Sequence, residues 1–401
     1  MPTPTPTPGI KRRRKDKDVA AAARARARLT RVRRGKKKKA SSGPPGEAAA
    51  AKQPVYLVVE HGVEKPTHSI LEVAAGATAR PLLYGKRGMS FAAVGTQFGP
   101  RIVGLCRDMT PIYDPKTSTE IDGPRLVDSM VHPILIPHGS KLYALSRSPS
   151  VVPGVDFMPW FFVFDLNMLP AGAGWDHLPP PPIFPCRLNP LEYRNPPEVH
   201  VASYAVVGSH ILLSVQQDKG TCAFDVDTEK WDMVDVRNLP FIGQAVPLGG
   251  HLFIACSKAT DGAAAVYYIK VFAPGTTSTG RTELSIIELP VESEGIVPGQ
   301  LMCAMGMGRF SSFDIRCVDP SPEAKLDKAR IVHRSYSLVE GGNATSTNSV
   351  VVVKEQRQIY KLRDPSCHLA YPLPVVAALT LYIFICCTPV KLHTPTGSRA
   401  N

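Results

Sequence analysis

From residue 55 onward the chain reads as short apolar runs, each cut by Gly, Pro or a polar pair. Val55-Tyr56-Leu57-Val58-Val59-Glu60 ends at His61-Gly62, and Ser69-Ile70-Leu71-Glu72-Val73 follows. These runs are rich in β-branched and aromatic residues and too short for helices. No stretch up to about Leu362 holds a 3.6-residue period, so the pattern predicts strands. The 39 prolines and 31 glycines are spread along the chain, which favours many turns over long helices. The texture points to a sandwich, a barrel or a propeller.

Self-similarity separates these options. One unit recurs: apolar strand, Gly turn, apolar strand, variable loop, then a strand ending aromatic-Asp. Phe91-Ala92-Ala93-Val94-Gly95 leads to Arg101-Ile102-Val103-Gly104-Leu105 and Ile112-Tyr113-Asp114. Pro133-Ile134-Leu135-Ile136-Pro137-His138-Gly139-Ser140 leads to Lys141-Leu142-Tyr143-Ala144-Leu145 and Phe162-Val163-Phe164-Asp165. The clearest copy runs from Ser203-Tyr204-Ala205-Val206-Val207-Gly208-Ser209 to Ala223-Phe224-Asp225 and closes on Trp231. Further copies centre on Gly249-Gly250 and Gly306. The anchor glycines 95, 139, 208, 250 and 306 lie 44, 69, 42 and 56 residues apart. Asp114, Asp165 and Asp225 repeat at equivalent positions, as turn caps do and a catalytic pair does not.

This pattern of hydrophobic-Gly, Leu-Tyr or Leu-Phe, Phe-Asp and then Trp resembles a kelch repeat. More narrowly it is similar to the kelch-like proteins expanded in grasses, whose blades end in segments like Trp175-Asp176-His177-Leu178-Pro179-Pro180. The resemblance covers residues 55–362 and implies an all-β, kelch-type β-propeller. At ~50 residues per blade it would have about six blades, with residues 55–59 expected to pair with the last blade near 350–353. It also implies a monomeric, non-enzymatic platform for a protein partner. An oxidase-like kelch enzyme would need clustered His and Tyr metal ligands, and no spacing here announces them. No metal, cofactor or catalytic residue is expected.

Charge changes the picture only at one end. Residues 11–39 hold sixteen Lys or Arg and two Asp, a net +14, whereas the whole chain is +13. The remaining 372 residues therefore sum to about −1. Residues 1–54 also have almost no large apolar side chains and are expected to be a disordered tail. Within it, Lys11, Arg12, Arg13, Arg14 and Lys15, with Lys36, Lys37, Lys38 and Lys39, form two clusters of nuclear-import type. The same clusters would bind a nucleic-acid backbone by counterion release. The expected location is the nucleus, with the cytoplasm as the alternative.

Nine cysteines include no C-x-x-C pair and mostly sit in apolar runs, where thiols behave as small hydrophobes. The apolar run 373–387, with the tail 363–401 around it, reads as a buried strand, an apolar tail or an anchor. As a helix its fifteen residues would span about 22 Å, short of a ~30 Å membrane core, so a membrane is not an expected partner. Trp160, Phe161, Tyr193 and Arg194 lie in or beside the two longest insertions, 146–160 and 178–199. Aromatic and Arg side chains are favoured as interface anchors, and these four are the candidate partner-binding residues.

Overall fold

A computed structural model describes residues 55–61, 67–73, 78–82 and 89–380, the last span without 108, 129, 153–156, 170–173, 273, 275–279, 290, 293–295, 297–300, 318–328, 340–349 and 362–374. These residues form an all-β propeller with no α-helix among them. The short apolar runs become antiparallel meanders, each about four strands from the ring centre to the rim.

Blade 1 contains β1 (Val55–His61), β2 (Thr67–Glu72) and β3 (Thr78–Leu82). Blade 2 is β4 (Ser90–Thr96), β5 (Gly99–Leu105), β6 (Pro111–Asp114) and β7 (Thr119–Asp122). Blade 3 is β8 (Ile134–His138), β9 (Lys141–Leu145), β10 (Phe161–Asp165) and β11 (Asp176–His177). Blade 4 is β12 (Val201–Val207), β13 (His210–Val215), β14 (Thr221–Asp225) and β15 (Lys230–Asp235). Blade 5 is β16 (Phe241–Gly249), β17 (Leu252–Ser257), β18 (Ala264–Phe272) and β19 (Glu283–Leu289). The short β20 (Val291–Glu292) then crosses to the rim of blade 6, where it pairs in parallel with the outermost strand. Blade 6 itself is β21 (Leu301–Gly306), β22 (Arg309–Cys317), β23 (Ala329–Val339) and β24 (Val350–Lys361).

The last strand, β25 (Val375–Thr380), returns to blade 1. The strand order there is β25-β1-β2-β3, so the inner strand comes from the C-terminal part of the chain and the other three from its beginning. Val55 pairs with Thr380 and Leu57 with Ala378. β25 packs against β4 on one side and β21 on the other, closing the ring of inner strands. Closure therefore runs through 375–380 and not through the expected 350–353, whose strand β24 is the rim of blade 6. The physical reason is burial: residues at the ring centre are covered on both faces, and the apolar run 373–387 supplies such a strand whereas the charged β24 does not.

Because side chains alternate along a strand, each blade buries both faces against its neighbours. Six hydrophobic clusters result, one between each adjacent pair. Leu57, Val59 and Leu71 meet Phe313 and Ile331 of blade 6, whereas Tyr56, Val58 and Leu379 meet Phe91 and Ile102 of blade 2. Leu142, Ala144, Phe162 and Phe164 face blade 2; their neighbours Tyr143, Leu145, Phe161 and Val163 face blade 4. Blades 4 and 5 share Leu212, Phe241 and Tyr267, and blades 5 and 6 share Ile254, Phe310 and Tyr336. Each fully buried Leu or Phe contributes about 1.5–3 kcal/mol, and no single central core exists.

The turns follow the sequence repeat. Four of the five anchor glycines, among them Gly139 (φ 60°) and Gly208 (φ 58°), take the left-handed conformation between the inner two strands of their blades. In blade 2 that role falls to Gly99 (φ 102°) rather than Gly95. The repeated aspartates are turn caps. Asp114 Oδ1 accepts from the Lys116 amide at 2.8 Å, Asp165 Oδ1 from Asn167 at 3.0 Å and Asp225 Oδ1 from Asp227 at 3.0 Å. Partial burial alone would raise the Asp225 carboxyl, but the Asp227 amide, the Thr228 hydroxyl and His210 together bring it below the usual carboxylate range. Among the described cysteines, Cys106, Cys222 and Cys303 are buried, and burial pushes the Cys303 thiol up to about 12.

The two repeat tryptophans latch neighbouring blades together. Trp175 Nε1 donates to the Pro124 carbonyl at 3.2 Å, just past the outer strand of blade 2. Trp231 Nε1 donates to Pro179 at 2.8 Å, just past the outer strand of blade 3. Trp231 also packs 5.5 Å from Phe161 and 5.1 Å from Phe224. Trp231→Phe retains the ring contacts and removes the donor, so urea unfolding should show a loss of about 1 kcal/mol, the net value of one hydrogen bond. An unchanged midpoint would deny the latch its role.

Candidate functional site: the loop face of blades 2 to 4

Every inner strand runs the same way, so connections between first and second strands, and between third and fourth, gather on one face of the ring. Call it the turn face. The connections between second and third strands, and from one blade to the next, gather on the opposite loop face. Both long insertions belong to the loop face: 146–160 joins β9 to β10, and 178–200 joins β11 to β12. β1 starts and β25 ends on the turn face.

The insertions are bound to each other and to their neighbours. Ser148 Oγ and His200 Nδ1 share a hydrogen bond of 2.7 Å. The Val201 amide donates to the Arg147 carbonyl at 2.9 Å, and Arg147 Nε donates to the His132 carbonyl at 3.1 Å. Lys219 Nζ, from the β13–β14 loop of blade 4, reaches the Ile183 carbonyl at 3.3 Å, and Gln217 of the same loop bonds to the Glu198 carbonyl. Trp160 and Phe184 meet edge to face at 5.9 Å beneath them.

The tip of the second insertion is a single capped turn. Asn189 Oδ1 accepts from the Leu191 and Glu192 amides at 2.9 and 3.0 Å. Glu192 Oε2 accepts in return from the Asn189 amide at 2.7 Å, the reciprocal arrangement of a capping box. This turn presents Leu191, Tyr193 and Arg194 to solvent.

The four candidate binding residues thus divide. Trp160 and Phe161 are 1% and 0% exposed and belong to the core between blades 3 and 4. Phe161 is the first residue of β10, and its position toward blade 4 is fixed by strand alternation. They are framework, not surface. Tyr193 is 61% exposed, and Arg194 is exposed beside it. Lys11, Arg12, Arg13, Arg14, Lys15, Lys36, Lys37, Lys38 and Lys39 lie outside the described residues.

Sequence reasoning missed most of the exposed apolar residues of the loop face. Val127 and Val131 sit on the connection from blade 2 to blade 3, Val152, Phe157 and Met158 on the first insertion, Leu191 on the second, and Val236 after β15. With Tyr193 these are half of the large apolar side chains exposed among the described residues. The available signal was topological: insertions after a second and a fourth strand must share a face.

Among the described residues no three His, Cys, Asp or Glu converge as a metal site would require, and no helix is long and apolar enough to cross a membrane.

Strand order and the six interblade cores define the molecule as a β-propeller. The chain belongs to the family described as "Protein of unknown function (DUF1668)", which matches residues 44–360. No protein of curated function matches it. Among solved structures it is similar to the β-propeller domain of Cps50 (Swd1) from Myceliophteria thermophila, 10% identical, covering 73% of this chain and 82% of that one, with a TM-score of 0.34. It is also similar to the WD40 domain of SCAP from fission yeast, 9% identical, covering 75% and 74%, with a TM-score of 0.33.

Proposed function

We propose that this protein is a non-enzymatic protein-interaction scaffold, a kelch-like propeller that works in the nucleus. One observation carries the reading: the mutually bonded connections of blades 2 to 4 hold exposed apolar side chains on a single face. A rigid surface of this kind loses little entropy when a partner docks. The kelch type is supported by the recurring Asp caps and by the Trp175 and Trp231 latches. Nuclear location is supported by the two basic clusters of the 1–54 tail. The folded unit spans 55–380 in this reading, and the tail acts as an address.

A second reading rests on the tail itself. Its charge of +14 against a nearly neutral remainder suits contact with RNA or DNA, with the propeller recruiting a protein to it. Affinity purification with mass spectrometry separates the two, using full-length protein and a version lacking residues 1–50, each with and without nuclease. Recovery of the same proteins in all four samples is expected for the scaffold. Loss of partners with nuclease or with tail deletion would transfer the lead to the nucleic-acid reading.

A further inference from the structure

We infer that the turn face is covered by the chain's own apolar segment 381–387, which runs on directly from the closing strand. The inference is independent of the scaffold reading and concerns the opposite side of the ring. The segment lies outside the described residues. Two observations on the described ones point to it: which hairpin tips are apolar, and where β25 ends.

Blades 2 to 6 turn between their inner two strands through two-residue tips: Gln97-Phe98, Gly139-Ser140, Gly208-Ser209, Gly250-His251 and Met307-Gly308. Those of blades 2 and 6 carry a large apolar side chain, Phe98 at 59% and Met307 at 80% exposure. Met307 does so against its backbone. It takes φ 53° in the place where blades 3, 4 and 5 have Gly139 (60°), Gly208 (58°) and Gly250 (57°), and a left-handed backbone disfavours any side chain. The Gln97 amide donates to Asn167 Oδ1 at 2.9 Å, which sets the exposed Met168 beside the Phe98 tip. A single exposed apolar residue needs no explanation, but the placement of these three does.

Blades 2 and 6 are the two that flank the closing strand, with β4 touching β25 on one side and β21 on the other. β25 ends at Thr380 on the turn face, between the two apolar tips. The next seven residues are Leu381-Tyr382-Ile383-Phe384-Ile385-Cys386-Cys387, without a charge or a proline. Extended, they reach about 23 Å, and both tips belong to strands in contact with β25. Residues 375–380 already form β25. What remains of the apolar run would rise only about 10 Å as a helix, far short of a ~30 Å membrane core. A membrane span is therefore closed to it, and the apolar surface within its reach is that of Phe98, Met168 and Met307. Docking there takes apolar area on both sides out of water.

Hydrogen peroxide footprinting of the methionines tests this on the full chain, since a covered thioether is oxidised to the sulfoxide more slowly than an open one. Met168 and Met307 are more exposed than Met158 on the loop face and Met233 on the rim, yet they should oxidise several-fold more slowly. In Ile383→Ser/Phe384→Ser/Ile385→Ser both should accelerate by at least about fivefold, with Met158 and Met233 unchanged. Met89 and Met130 are buried and monitor folding; if the variant unfolds, the parent rates alone decide. Met168 and Met307 oxidising in the parent as fast as the two controls would overturn the inference. Protection that fades on dilution would also sink it, because a second copy would then be the cover. The same holds for protection that needs added lipid vesicles, or that survives the triple substitution while Met89 and Met130 stay protected.

Discussion

Deleting residues 375–401 should abolish the soluble folded protein. The deletion removes β25 and with it the inner strand of blade 1. β1 then loses its ladder partners from Val55 to Val59. Ala377 and Leu379 leave the core shared with blade 2, and Ala378 leaves the core shared with blade 6. Truncating a single buried Leu costs about 2–5 kcal/mol, and whole domains are stable by only about 5–15 kcal/mol. Losing a strand that belongs to two interblade cores is a larger change than any one truncation. The exposed edge of β1 is also a template for intermolecular pairing. Yield of soluble protein, size-exclusion profile and thermal unfolding read the outcome. A monodisperse 375–401 deletion with the parent midpoint would show that the ring does not need its closing strand.

Trp160→Ala and Phe161→Ala should each lower stability by about 3–5 kcal/mol, the usual cost of emptying a buried aromatic site. Trp160 packs edge to face on Phe184, and Phe161 lies 4.9 Å from Phe224 and 5.5 Å from Trp231. Tyr193→Ala and Arg194→Ala should stay within about 0.5 kcal/mol of the parent, as surface changes do. Denaturant unfolding of the four variants checks the contrast. Equal effects across all four would contradict the division of these residues between framework and surface. Loss of binding in a Trp160 variant would report on folding, and only the second pair can speak for contact with a partner.

The features legible in the sequence were the local ones. Strand runs, the Asp114, Asp165 and Asp225 caps, and the Gly turns each depend on a few neighbouring residues, so they leave a local trace. About six blades followed from the length of residues 55–362 at ~50 residues per blade. Closure did not, because a strand buried on both faces reads as an unbroken apolar run, and nothing in 373–387 says which strand it will meet. Blade 1 carries no Gly turn between its first two strands, since the two ends of the propeller stand where that turn would be.

The loop surface was only half legible. Two long insertions were visible, but their meeting on one face depends on strand direction in an assembled ring. Trp160 and Phe161 show the same limit. Phe161-Phe162-Val163-Phe164, four apolar residues in succession, is what a strand covered on both sides requires.

The closing strand also sets an order of events in time. β1 is among the first segments of the propeller to be synthesised, and its partner β25 is the last of the described strands. Val55 and Thr380 are 325 residues apart. Bringing such distant segments together costs loop-closure entropy before any contact rewards it, and folds dominated by distant pairings form slowly. Blades 2 to 5 can assemble from local hairpins while the chain is still growing. Blade 1 cannot be completed until synthesis has passed residue 380. Throughout that interval the edge of β1 has no native partner, and the nascent protein depends on being shielded from other chains.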